Sequence, residues 1–298
     1  MTISNTMTRI ALYGNKRPDA DHSHLQQLVD ILASLYPHVT CSMDLRYMYF
    51  LRSNIRLPEV IRDTFTEADP TADLVLSIGG DGTFLKTANR VGILGTPIMG
   101  INSGHLGYLA AADISEAPDI IHDILAGDYR IEHRSVIEVS GPDSFLPERP
   151  FALNEVAILK KDTASMITVD ASIDGGPTVT YRADGLIVST PTGSTGYNLS
   201  AGGPIVAPTC GCWTVAPVAP HSLNMRPLVV PDTTVIDLKA HSRAETFLLS
   251  IDGKSTPLPA GCSLRLRKAS YTVNTVLRST SNIIDTLRQK LLWGRDGI

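Results

Sequence analysis

The stretch Leu74-Val75-Leu76-Ser77-Ile78-Gly79-Gly80-Asp81-Gly82-Thr83 decides the fold. Leu74 to Ile78 reads as a buried strand, the glycines around Asp81 as a tight turn, and Thr83 to Val91 as the helix that follows. A strand entering a helix through a glycine-rich turn is the unit of an α/β sheet, and such sheets bind ligands outside the C-terminal ends of their strands. Glycine lets a ligand approach backbone N–H groups, and the helix N-terminus adds partial positive charge, so the turn favours phosphate. It has neither the Gly-Lys-Ser/Thr of a Walker A loop nor GxGxxG spacing. Asp81 is out of place in a plain phosphate cradle, because a carboxylate repels phosphate. Three uses account for it: taking a proton from an attacking hydroxyl, holding a metal, or capping the helix.

Working outward, the same rhythm continues on both sides. Ile10 to Gly14 reads as a strand, and His22 to Tyr36 as an amphipathic helix with Leu25, Leu28, Val29, Leu32 and Leu35 on one face. Pro97 to Ile101 is another strand, running into a second glycine turn, Asn102-Ser103-Gly104-His105-Leu106-Gly107, where His105 alone is weak evidence for a base. Pro118 opens a helix that Gly127 closes. This alternation predicts a mostly parallel sheet.

After about Tyr129 the period changes to two, as in Met166 to Asp174, with Gly175-Gly176 turning into Thr178 to Tyr181. Further short strands near Val229, Val235–Leu238, Phe247–Ile251, Leu264–Leu266 and Tyr271–Val276 predict an antiparallel β domain. Ser281 to Trp293 carries Ile284, Leu287, Leu291 and Leu292 at helical spacing, a terminal helix expected to pack back on the first domain. The expected fold is therefore an α/β domain, residues 1–129 with 279–298, and an all-β, sandwich-like domain, residues 130–278.

Composition fits two domains in 298 residues. Sixteen of the 23 glycines fall in two windows, Gly79 to Gly107 and Gly175 to Gly211, which points to two loop systems. A formal net charge of -4 gives a nucleic-acid partner no electrostatic support. No apolar run approaches the roughly 18 residues of a membrane span, and Met1 to Arg9 lacks the apolar region of a secretory signal. Cys210-Gly-Cys212 does not have zinc-finger spacing. With Cys41 and Cys262 these residues read as reduced thiols in a core, which places the protein in the cytoplasm.

Two more segments carry polar chemistry. Asn154-Glu155 sits among Phe151, Leu153, Val156 and Ile158; taken alone the pair reads as solvent-facing, although its oxygens could accept ribose hydroxyl protons. Asp184 to Pro204 is a buried strand, then a loop dense in hydroxyls and glycines, then a short helix. Small side chains there let a flat base lie against backbone, Ser and Thr hydroxyls can read ring nitrogens, and Tyr197 can stack.

These residues, together with Gly100-Ile101-Asn102, Leu106-Gly107, Pro220-His221-Ser222-Leu223, Arg226-Pro227-Leu228-Val229, Ile251-Asp252-Gly253 and Asp285-Thr286-Leu287, resemble the NAD kinase (ATP-NAD kinase) family, in order from about Ile10 to Trp293. The first motif alone is shared with the wider superfamily of diacylglycerol kinases and phosphofructokinases; the 184–204 stretch is far more specific. The resemblance implies an α/β domain, a β-sandwich-like domain and NAD bound between them in a homo-oligomer, a dimer or tetramer. It implies transfer of the ATP γ-phosphoryl group to the 2′-hydroxyl of the adenosine ribose of NAD, with Mg²⁺ or another divalent cation whose protein ligands stay unassigned. Asp81 matches the proton acceptor. Gly79, Gly80, Gly82 and Thr83 match the phosphate turn, with Lys86 as a phosphate partner. Asn154 and Glu155 match the pair holding the dinucleotide, Arg182 and Asp184 its nicotinamide side, and Thr195, Gly196, Tyr197, Asn198 and Ser200 the adenine-binding turn. Gly196 stands where the family usually has Ala. Arg46 to Leu57 finds no counterpart and reads as a mobile flap. Two rival readings are a lipid or sugar kinase sharing only the Gly79–Thr83 turn, and a catalytically silent NAD(P)-binding sensor; formation of NADP separates both from a NAD kinase.

Overall fold

The computed structural model describes residues 8–16, 22–61, 63–104, 107–161 and 166–294; His105 and Leu106 lie outside them. The chain divides into two compact units, Met1–His133 with Val273–Ile298, and Arg134–Thr272.

The first unit is built on an eight-stranded sheet. Across it run Asp63–Phe65, Thr40–Asp44, Arg9–Gly14, Leu74–Ile78, Ile98–Asn102, Val273–Arg278 and Tyr129–Arg134, with Ala112–Asp113 pairing on Ile98–Asn102. The first five, in that spatial order, are parallel. After Arg9–Gly14 the chain winds outward to one side, then returns to place Leu74–Ile78 on the other. The gap between the C-terminal ends of these two strands is thus the sheet's switch point, where open α/β sheets hold ligands. Gly79 to Thr83 starts at that gap. Leu74–Ile78 is buried along its whole length, which explains why it lacks alternation. The core gathers Ile10, Leu12, Leu76 and Met99 from the sheet with Leu28, Leu32, Ile121 and Ile124 from helices Ser23–Ser34 and Ala117–Ala126. Gly127, at φ 74°, ends the second of these in the left-handed region that favours glycine.

Two expectations change here. Arg46 to Leu57 is not a loose flap: Leu45–Arg52 is a helix capped by Asp44, whose Oδ1 accepts from Tyr47 N at 3.0 Å, and Tyr47, Met48 and Leu51 are buried. The Tyr47 ring lies where a Cβ on Gly14 would collide with it. The strand near Tyr271–Val276 is Val273–Arg278, and it joins the first sheet, parallel to Ile98–Asn102, rather than the β domain. The first unit therefore resumes at Val273 instead of 279. Local periodicity identifies a strand but not its partner, since either sheet would bury Val273 and Val276. The terminal helix Ile283–Leu291 belongs to the first unit; Asn282 caps it by accepting from Asp285 N at 2.9 Å, and Leu287 is its buried residue.

The second unit has two six-stranded sheets, in both of which every neighbouring pair of strands is antiparallel. One runs Leu228–Pro231, Cys212–Val218, Gly185–Ser189, Glu155–Leu159, Thr246–Ile251, Lys254–Pro259; the other runs Val179–Ala183, Ile167–Ile173, Ile236–His241, Ser263–Lys268, Ile137–Ser140, Phe151–Ala152. Val156, Val188, Trp213 and Phe247 of the first share one core with Val169, Leu238 and Leu266 of the second. Ile167–Ile173 shows why alternation identified it: Ile167, Val169 and Ala171 are buried while Thr168 and Asp170 are less so. The hairpin that follows turns through Asp174 and Gly175, at φ 49° and 70°. All four cysteines are free, but only Cys41 is a core thiol; Cys210 is exposed, and Cys212 and Cys262 are half-buried because they sit at strand ends and turns.

Candidate functional site

In the first unit, Gly80 is the N-cap of helix Asp81–Val91 and Asp81 its first residue. The capping use of Asp81 is thereby excluded. Its carboxylate leaves the helix and accepts two backbone N–H groups from the next glycine turn, Tyr108 N to Oδ2 at 2.8 Å and Leu109 N to Oδ1 at 2.9 Å. Each oxygen keeps a further lone pair for another donor. Two glycines shape these turns. Gly79, at φ 153°, has no room for a Cβ beside the Thr83 side chain, and a Cβ on Gly107 would strike the Asp81 carboxylate. Thr83 is buried beneath the turn, Gly80 and Asp81 are half-buried, and Gly82 is exposed. Lys86 is exposed on the second turn of the helix, and its side chain leans toward the N-terminus as helical side chains do. Asn102 closes the second turn by pairing with Gly104 N and O at 3.2 Å, which is a structural task.

One residue beside Asp81 was not legible in the sequence. Lys290, from the terminal helix, donates to Ala110 O at 2.6 Å and to Tyr108 O at 3.3 Å. Burial pushes its pKa down and the Asp81 charge pushes it back up. Its position beside Leu287 on one helix face was visible, but the turn it reaches lies some 180 residues earlier.

In the second unit the centre is the turn Leu153–Glu155. The half-buried Asp252 carboxylate accepts the N–H groups of Leu153 at 2.9 Å, Asn154 at 2.8 Å and Glu155 at 3.1 Å. Asp252 stands at φ 48°, a strained place for an aspartate that those three bonds offset. On the far side, Thr190 Oγ1 donates to Leu153 O at 2.5 Å and Thr190 N to Asn154 O at 2.9 Å. A Cβ on Gly193 would collide with the Asn154 backbone. The glycine loop therefore lies directly on the Asn154-Glu155 turn.

The pair is not solvent-facing. Asn154 Oδ1 and Glu155 Oε2 are buried acceptors with no donor. Buried polar groups are ordinarily satisfied, so two orphaned acceptors side by side call for hydroxyl or amide donors from outside the chain. Burial, and then repulsion from Asp252, raises the Glu155 pKa to about 7. Burial also raises Asp252, to about 6, against the pull of its three backbone bonds.

Within the loop, Thr195 and Gly196 are half-buried, and Tyr197 and Ser200 are exposed. Asn198 is fully buried, and its amide donates to Ser194 O at 3.2 Å and Pro204 O at 3.1 Å, tying the loop to itself. Arg182 and Asp184 lie elsewhere. Gly185 pairs with Leu159 and Ser189 with Glu155, so these two residues sit at the opposite end of that strand from the orphaned acceptors. Arg182 is exposed, and Asp184 Oδ1 pairs with Lys160 at 2.7 Å. Among the described residues no three His, Cys, Asp or Glu side chains form a metal cluster.

Comparison with known proteins matches residues 14–129 to the ATP-NAD kinase N-terminal domain and residues 153–277 to the ATP-NAD kinase C-terminal domain. The NAD kinase of Bacteroides fragilis is 43% identical over 288 residues, 97% of this chain and 99% of its own length. That of Porphyromonas gingivalis is 40% identical over 288 residues with the same coverage. Among solved structures, yeast NADH kinase complexed with NADH has a TM-score of 0.86 at 22% identity, covering 99% of this chain and 90% of that one; it speaks to the fold. An NAD kinase from Archaeoglobus fulgidus in complex with ATP has a TM-score of 0.69 at 25% identity, covering 94% and 99%.

Proposed function

The chain belongs to the ATP-NAD kinase family and is an ATP-dependent NAD kinase, and from that premise we propose that Asp81 is the proton acceptor of the reaction. The observation that carries the proposal is the carboxylate at the sheet's switch point, held by two backbone amides instead of capping its helix. Phosphoryl transfer asks the protein mainly for alignment and charge stabilisation. As the 2′-hydroxyl oxygen bonds to the γ-phosphorus and the bond from that phosphorus to the β-phosphate bridge oxygen breaks, Asp81 takes the hydroxyl proton and ADP leaves. The free N–H groups of Gly80 and Gly82 at the helix N-terminus face developing negative charge, with Lys86 as a cationic partner for the phosphates.

In the second unit, Asn154 Oδ1 and Glu155 Oε2 accept hydroxyl protons of the dinucleotide. Thr195, Gly196, Tyr197 and Ser200 receive the adenine, with Asn198 fixing the loop that carries them. Arg182 and Asp184 serve the nicotinamide side. Mg²⁺ or another divalent cation would neutralise the ATP phosphates. Such an ion keeps phosphate and water ligands readily, which fits a turn whose one carboxylate is Asp81. The family likeness also supports a homo-oligomer, dimer or tetramer, in the cytoplasm; light scattering on the purified protein tests its size. No helix among the described residues is long and apolar enough to cross a membrane.

The deciding experiment incubates purified protein with NAD, ATP and Mg²⁺ and measures NADP. Product with the wild type and none with Asp81→Asn supports the assignment; near-wild-type turnover by the variant refutes it. Nucleotide-dependent stabilisation without product would indicate a binding sensor, and phosphorylation of a lipid or sugar instead would indicate the other kinase class.

A further inference from the structure

We propose that Lys290, on the last helix of the chain, is a positioning residue for Asp81, acting through the turn that the two side chains grip from opposite faces. The proposal rests on the reading of Asp81 as proton acceptor. Its geometry is specific to one peptide unit. The Leu109 N–H donates to Asp81 Oδ1 at 2.9 Å, and the carbonyl of that same unit, Tyr108 O, accepts from Lys290 Nζ at 3.3 Å. A cation on the oxygen of an amide polarises it and makes its N–H the better donor. The same ammonium donates to Ala110 O at 2.6 Å, so it fixes the turn on both sides of Leu109. Gly107 lets the carboxylate come this close.

The charge of Lys290 also acts directly. Asp81 is the charged group that bears on it, and that attraction opposes the desolvation of the ammonium. On its own helix the charged neighbours Asp285 and Arg288 are exposed. Leu287, three residues before it on the same face, is buried and anchors the helix there. An ammonium so placed holds the Leu109 N–H, and with it the Asp81 carboxylate, aimed before the hydroxyl arrives. It touches neither substrate in this role.

The test compares Lys290→Met, Lys290→Gln and Lys290→Arg with the wild type by kcat and KM between about pH 5.5 and 9, with thermal unfolding as a check on folding. Removing the charge should lower kcat about ten- to a hundredfold, leave both KM values within about threefold, and move the acid limb of kcat to higher pH by at least about half a unit. Lys290→Arg should keep the limb where the wild type has it. Lys290→Gln keeps a donor for the carbonyls without the charge, and covers the case in which the methionine variant does not fold. An unmoved limb in both neutral variants, a rise in KM with kcat unchanged, or an arginine variant that behaves like the neutral ones overturns the proposal. Asp81→Asn separates the two readings: if it stays active, the proton-acceptor reading fails, whereas an inactive Asp81→Asn with an unmoved limb in the Lys290 variants defeats the Lys290 proposal alone.

Discussion

The turns around Asp81 and Asp252 use one device for opposite ends. In both, a carboxylate accepts N–H groups from consecutive residues of a distant turn, two for Asp81 and three for Asp252. In the first unit the held carboxylate is the proposed proton acceptor, half-buried, with free lone pairs. In the second the held carboxylate is half-buried scaffolding, and the proposed binding groups are the side chains of the turn that does the holding, whose buried acceptors have no donor. On the proposed reading, backbone amides aim a proton acceptor in one place and a binding surface in the other. The surroundings differ: the Asp81 carboxylate stands at a turn gripped from behind by Lys290, whereas burial against the Leu153–Glu155 turn raises the pKa of Asp252.

The sharpest break of this comparison is the same substitution at both sites. Asp81→Asn should lower kcat by about 10³-fold or more while the thermal midpoint hardly moves. Asp252→Asn should do the reverse, weakening the fold by about 2–3 kcal/mol through its buried amides and raising KM for NAD; denaturant unfolding alongside NADP assays checks both. If Asp252→Asn proves stable but inactive, the division of labour drawn here is wrong.

Next in size is Gly107→Ala. Its Cβ would push the Asp81 carboxylate aside, so kcat should fall by about 10²-fold with KM for NAD unchanged, measured in steady-state assays.

Glu155→Gln sharpens the second site. Losing a charged acceptor should raise KM for NAD about ten- to a hundredfold. The pH dependence follows from the direction of the shift. Glu155 titrates near 7 when folded and near 4.5 as a free side chain, so between those values the native state binds more protons, and stability falls as pH rises through that window. Urea unfolding at pH 5, 6, 7 and 8 should show this decline in the wild type and a weaker one in Glu155→Gln. An identical decline in both would assign it to other groups.

The smallest effect belongs to Gly196→Ala, the residue usual in the family. The added Cβ would stand 3.2 Å from Glu155 Oε2 and from Gly193 O, so both must yield slightly. Stiffening of the unfolded loop offsets this, and stability should change by less than about 1 kcal/mol, with KM for NAD altered less than about threefold. A large loss would show that this loop is packed more tightly here than the alanine-bearing relatives require.

What was legible in the sequence was local. The buried run Leu74 to Ile78, the glycines after it and the alternation of Ile167 to Ile173 each reveal their element through their own neighbours. What was hidden was partnership across long distances. Val273 to Arg278 reads as a strand but not as a member of the first sheet, and Lys290 reads as a polar helix position until Tyr108 and Ala110 are seen beneath it. The Asn154-Glu155 pair looked solvent-facing because nothing nearby says that Asp252 turns it inward. Arg46 to Leu57 looked loose because Asp44 and Gly14, which hold Leu45–Arg52 in place, lie outside the segment.

The return of Val273–Arg278 to the first sheet has a consequence for biosynthesis. Arg134–Thr272 is an insertion in the chain of the first unit. A ribosome adding about 5–20 residues per second finishes the Asp81 turn and then spends roughly ten seconds or more on the insertion before the strand that completes the sheet, and Lys290 behind it, can emerge. The second unit can close while the first still waits with the Ile98 end of Ile98–Asn102 lacking its partner, Thr275, on one edge. Nascent chains stalled before Val273 should therefore protect Trp213 and Phe247 from proteolysis earlier than they protect Met99, so that the Asp81 turn is among the first parts made and the last to be secured.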